Sequence, residues 1–143
     1  MMPVMFIGAA GTGVGSRIGG HNRRGGAKLR KEHSRYCPVA VTDEFNTSKL
    51  CVECYQRLQY AKSSRIVKGT IQTVRVKGAQ ECVNPDCESV RRGHTIRARD
   101  TNSAAAIAIA GASTILHPEK KRLPPFSRDL PLPTTTTSST TLH

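Results

Sequence analysis

The sequence predicts an α/β fold interrupted by a thiolate metal ribbon, and three observations lead to it. Two short apolar runs, Val4–Ile7 and Pro38–Val41, flank a basic helical stretch, the order of a parallel βαβ unit. Four cysteines stand in two close pairs, Cys51-Val52-Glu53-Cys54 and Cys82-Val83-Asn84-Pro85-Asp86-Cys87. An Ala/Ile-rich stretch, Ser103 to Gly111, then follows Asp100-Thr101-Asn102, as a helix packed on a sheet requires.

Taken in order, Val4-Met5-Phe6-Ile7 is continuous and apolar and ends at Gly8, the pattern of a strand buried on both faces. Gly8 to Gly26 is glycine-rich, but neither G-x-G-x-x-G nor G-x-x-x-x-G-K-[ST] can be placed on it, so it reads as a loop and not a phosphate cradle. Ala27 to Tyr36 reads as a basic helix with Leu29 facing inward. Residues 38–41 form the second strand. The loop Asp43-Glu44-Phe45-Asn46-Thr47-Ser48-Lys49 follows it at the carboxyl end of the sheet, where ligands and metals bind in open α/β folds. Residue type alone also allows a plain surface loop, with Thr47 or Ser48 closing a turn.

The paired cysteines present four thiolates to one tetrahedral zinc ion, each pair on a tight turn. Pro85 lets the second, longer knuckle absorb its two additional residues. Disulfides fit less well, because five cysteines leave one over and Met1 to Ile7 is too short for a signal peptide. Cys37, before Pro38, reads as a small buried hydrophobe. His94 could stand in as a ligand only if the second knuckle is distorted; His21 and His33 read as exposed. Between the pairs, Thr70–Thr73 and Val74–Lys77 alternate partially, as a strand or hairpin lining the ribbon does. In the last helix Ile107, Ile109 and Ile115 are core candidates, and Asp100 has an ordinary reading as the N-cap.

Charge points to the partner. The chain of 143 residues carries a formal net charge of +12, and no acidic residue occurs between Tyr55 and Gln80. Three basic clusters flank the cysteines, a footprint suited to phosphate contact that supplies affinity without sequence specificity. No run approaches the roughly 18 apolar residues of a membrane span, so no membrane partner is expected. Aromatic content of 4% with no Trp leaves the core to Val, Ile, Leu and Ala, and a metal is a useful staple at this size. Residues 118–143 combine Lys120-Lys121-Arg122, prolines and a Thr/Ser tract, a composition that predicts a disordered tail.

The string Val41-Thr42-Asp43-Glu44-Phe45-Asn46-Thr47-Ser48-Lys49-Leu50-Cys51-Val52-Glu53-Cys54, then Cys82 to Cys87, then Arg99-Asp100-Thr101-Asn102-Ser103-Ala104-Ala105, resembles the C-terminal end of the TnpB and Fanzor family. These OrfB-type, RNA-guided DNA nucleases carry a RuvC-like (RNase H-like) domain interrupted by a zinc ribbon. The resemblance covers about residues 3–112 and rests on the ordered combination of motifs. It implies a partial RuvC-like βαβ segment at 1–49, a zinc ribbon at 50–92, a C-terminal RuvC-like segment at 93–117, and the tail.

The resemblance also implies chemistry. Asp100 matches the family's last catalytic carboxylate, one of those that hold Mg²⁺ or Mn²⁺ in two-metal cleavage. The middle carboxylate is a strand-end Glu in prokaryotic members; here Gly8 stands at that place, and in Fanzor-like members a Glu in the D-E-[YF] motif substitutes. Glu44 is then the second carboxylate, with Asp43 as its competitor. The family's first catalytic Asp lies on a strand upstream of anything in this sequence. The expectation is therefore a DNA-binding piece of the nuclease, truncated or decayed and inactive alone, with DNA and a guide RNA as partners. The alternative is a non-catalytic zinc-ribbon module that binds nucleic acid. Thiolate ligation implies a reducing intracellular compartment, and the Fanzor-like variant a nucleus in a eukaryotic host.

Overall fold

The computed structural model describes residues 2–9 and 27–129. The glycine-rich expectation beyond Ala9, His21, and the tail beyond Asp129 lie outside them.

Strand β1 (Met5–Gly8) and strand β2 (Val39–Thr42) pair in parallel, Met5 opposite Val39 and Gly8 opposite Thr42. Helix α1 (Ala27–His33) lies between them in sequence, so the βαβ expectation holds in order and direction. Leu29 does not face inward: it is 49% exposed. A lone leucine on a basic seven-residue helix was a weak signal for a buried face.

A second sheet carries strand β3 (Gln59–Val67), strand β4 (Thr70–Glu81) and strand β5 (Ile96–Ala98), all antiparallel in the order β3-β4-β5. Val67 pairs with Thr70 across a two-residue turn, where Lys68 and Gly69 both take positive φ (51° and 79°). Two positive φ values are the type I′ pattern, whose twist matches that of the strands it joins. Helix α2 (Glu88–Arg91) closes the second cysteine knuckle, and helix α3 (Arg99–Leu116) packs on β1, β2, β4 and β5.

The core is small and built from small side chains. Leu50, Ala106, Ala110 and Phe126 are buried together, with Val52, Tyr55, Ile109 and Leu123 packed around them. Of the expected isoleucines, Ile107 and Ile109 are half-buried and Ile115 is 57% exposed. Close approach explains the preference for alanine and glycine. A methyl group placed on Gly111 would lie 2.3 Å from the Phe6 ring and 2.6 Å from Thr42 Oγ1, so α3 rests almost backbone-to-sheet on β1 and β2.

The expectation of a disordered tail fails for residues 118–129. A 3₁₀ turn at Pro124–Phe126 inserts Phe126, fully buried, edge-on against Tyr55 at a centroid distance of 5.8 Å. Asn46, left-handed at φ 61°, donates its side-chain amide to the Pro125 carbonyl at 3.2 Å. One buried aromatic anchors a segment whose average composition argued against order.

Among the described residues, no helix is long and apolar enough to cross a membrane.

Candidate metal centre

The sequence around Cys51 folds tightly because its backbone bonds close on themselves. Cys51 N–H donates to the Gln56 carbonyl and Tyr55 N–H to the Cys51 carbonyl, both at 2.9 Å, and Tyr55 turns the chain at φ 57°. The second knuckle uses different chemistry. Cys87 N–H donates to the Asn84 carbonyl at 3.1 Å across Asn84-Pro85-Asp86-Cys87, with Pro85 in the second position, where its fixed φ suits a turn. Asn84 Oδ1 accepts the Asp86 N–H at 3.1 Å as well. The longer spacing is thus taken up by one proline turn.

The two knuckles bring four sulfurs together. Cys51, Cys54, Cys82 and Cys87 place their ligand atoms within 4.8 Å of one another, with Cys51 Sγ 3.8 Å from Cys87 Sγ and Cys54 Sγ 3.6 Å from Cys82 Sγ. Thiolates bound at about 2.3 Å around a tetrahedral ion stand about 3.8 Å apart. The cluster can hold a metal ion. Leu58 and Val90 pack beside it, and all but Cys54 are buried. Cys37 is half-buried with its thiol 3.7 Å from the His33 carbonyl, and neither it nor His94 joins the cluster.

The buried thiols differ in how readily they ionise. Burial pushes the Cys82 thiol up to about 12 and raises Cys51, although the Asn84 N–H and the Cys54 and Glu53 N–H groups respectively oppose it. Cys54 moves the other way: burial raises it, but bonds from the Asn84 side chain, the Gln56 N–H and the neighbouring thiols outweigh burial and lower it. A metal supplies the positive charge that buried thiolates otherwise lack.

Three residues lock the knuckles to the fold. Asn102 on α3, buried, donates to the Leu50 carbonyl at 2.7 Å and accepts the Val52 N–H at 3.4 Å. Gln80 on β4 donates to the Ser48 carbonyl at 2.8 Å. Glu53 accepts the Ser89 N–H at 2.9 Å at the start of α2 and pairs with Arg97 at 3.5 Å, so the first knuckle grips the second. None of these was assigned a role from sequence; the detectable signal was a lone amide, Asn102, beginning an alanine-rich helix.

The expected carboxylates are not gathered in the same way. Asp43 is held by Arg128 at 2.8 and 2.9 Å, accepts the Phe45 N–H at 3.2 Å, and has Arg122 at 3.6 Å. The Arg128 guanidinium, above all, holds this carboxyl below its ordinary value of 3.8. Asp100 is not the N-cap: α3 begins at Arg99 with Ala98 in the capping position, and the Asp100 side chain is 92% exposed beside Arg99 at 3.4 Å. Glu44 lies over Gly8: a methyl group placed there would fall 1.7 Å from Glu44 Oε1. Thr47 closes the loop, donating to the Glu44 carbonyl at 2.9 Å. Among the described residues, the four cysteines form the one cluster of three or more such ligands.

Neither a protein-family model nor a curated protein matches this chain.

Proposed function

We propose that this chain is a DNA-binding protein organised by a structural zinc ion, corresponding to the C-terminal part of a TnpB- or Fanzor-like RNA-guided endonuclease, and that it does not cut DNA by itself. Four thiols at tetrahedral spacing, closed by apolar neighbours, suit zinc in a structural role. The observation that carries the DNA-binding reading is the arm rooted at the metal centre. Lys62, Arg65, Lys68, Arg75 and Lys77 are all exposed on β3, β4 and their turn, and among the described residues none of them is in an ion pair. Cations without acidic partners on a rigid ribbon are suited to phosphate oxygens.

Kinship with the nuclease, as against an isolated ribbon module, is supported by the parallel β1–β2 pair and by Glu44 occupying the side-chain space of Gly8. That the chain does not cut alone is supported by Asp43, one of the candidate carboxylates, being held by Arg128. Titrating fluorescent duplex DNA across a salt series tests binding, and incubation of plasmid with Mn²⁺ or Mg²⁺ tests cleavage. Binding that weakens steeply with salt, without nicking, is expected. Cleavage that disappears in Asp100→Ala would instead establish a nuclease, and no binding at low salt would refute the proposal.

A further inference from the structure

The outer β3–β4 arm has one face with a particular order. The cross-strand pairs Lys62 with Arg75, Ser64 with Thr73, and Ile66 with Ile71 succeed one another at two-residue steps, so all six side chains share a face. From base to tip that face runs cationic, hydroxyl, apolar. Lys62 stands directly opposite Arg75, a like-charge pairing that destabilises a ladder in isolation. Arg75 also lies over the Tyr60 ring at 4.9 Å, which orients its guanidinium. At the tip Ile66 and Ile71 are 75% and 73% exposed. Single exposed isoleucines need no explanation, but a matched pair crowning a basic arm does.

We infer that this arm is a wedge for double-stranded DNA, its Lys62–Arg75 pair holding backbone phosphates while Ile66 and Ile71 enter a base step from the minor groove. The inference rests on the DNA-binding reading above and specifies its mode. Four residue steps along each strand separate the charged pair from the apolar pair, about 13 Å, enough to reach from the backbone to the floor of a groove about 7.5 Å deep. Apolar side chains inserted this way unstack the step and kink the duplex. The turn argues against other occupants. Lys68 sits beyond the isoleucines and Arg65 beside them, so in a bilayer they would be driven towards hydrocarbon, whereas in a groove they meet phosphates on both sides. A second copy of the chain would set cations against cations.

The test uses the full, zinc-loaded chain with an end-labelled duplex of about three helical turns, reading affinity by anisotropy across salt and bending by energy transfer. Lys62→Ala with Arg75→Ala is expected to flatten the salt slope by about 1.8, two phosphate contacts at about 0.9 each. Ile66→Ser with Ile71→Ser should leave that slope in place, lower affinity about tenfold as loss of interface anchors does, and abolish the bend. Both pairs are exposed, and an unchanged melting temperature confirms that the fold survives. Wild-type binding without bending, or bending retained by the isoleucine variant, overturns the wedge. An unaltered slope in the charge variant also overturns it while leaving DNA binding to the other basic clusters. Failure to bind any duplex overturns both readings.

Discussion

The carboxylate of Glu44 fills the place that a side chain on Gly8 would take: a methyl group on Gly8 would lie 1.7 Å from Oε1, 2.4 Å from Cδ and 2.7 Å from Cγ of Glu44. The loop after β2 thereby delivers an acid to the end of β1, which has none of its own. Only a residue without a Cβ leaves that room.

This relationship separates two glycines. Gly8→Ala meets the Glu44 side chain from Cγ to Oε1. Gly111→Ala meets the Phe6 ring and Thr42 inside the α3–sheet contact. Overpacking of about 1–3 kcal/mol there is expected to exceed the gain of about 1 kcal/mol from replacing a helical glycine. Thermal unfolding should therefore show a clear loss for Gly111→Ala. An unchanged or raised melting temperature would mean that the α3–sheet contact relaxes to admit the methyl.

Phe126 makes the 118–129 segment part of the domain. Replacing it with alanine removes a fully buried ring from the Leu50, Ala106 and Ala110 cluster. The expected loss is about 3–5 kcal/mol, read by urea denaturation. A change below about 1 kcal/mol would show that the segment does not hold this position in solution.

The Asp43–Arg128 pair has a pH signature. The Arg128 guanidinium lowers the Asp43 pKa, so the folded state releases this proton more readily than the unfolded chain. Its contribution is present above the ordinary value of 3.8 and is lost as pH falls through the depressed folded value. Asp43 is 39% exposed at the side chain, and solvent screening keeps the gain within about 1 kcal/mol. Carbon-detected NMR titration should place Asp43 below 3.8 in the native chain and move it upward in Arg128→Ala. An unmoved titration would deny the pair.

Asn102 ties α3 to the first knuckle, so its loss should be felt at the metal. Asn102→Ala leaves the Leu50 carbonyl and Val52 N–H without their partner, at about 1–3 kcal/mol, and should weaken metal affinity about 10–100-fold, as loss of outer-shell support does. Competition with a chromogenic chelator measures this. Wild-type affinity in the variant would confine Asn102 to packing.

Much of this was legible in the sequence because it rests on local pattern. The β1–β2 pair came from continuous apolar runs, and the sulfur cluster from cysteine spacing with a proline to absorb the longer knuckle. Strand β3 was not legible, since Lys62-Ser63-Ser64-Arg65 has no buried face and so no alternation to read. Residues 118–129 were misread because composition averages over a segment, while one Phe in one cavity decides its order. The isoleucines of α3 were favoured over its alanines because burial was judged by hydrophobicity, when the distance between helix and sheet selected for size. The role of Asp43 depended on Arg128, 85 residues away, and no local pattern could show that pairing.

The central claim is that a thiolate zinc centre holds the knuckles from which a DNA-binding arm projects, and chelation tests it most directly. Duplex binding by the purified chain should be measured by anisotropy before chelation, after complete metal removal, and after one equivalent of zinc is restored, with zinc content determined by elemental analysis. One zinc per chain, binding lost with the metal and regained with zinc, is the result the account predicts. Undiminished binding by the metal-free chain would contradict it.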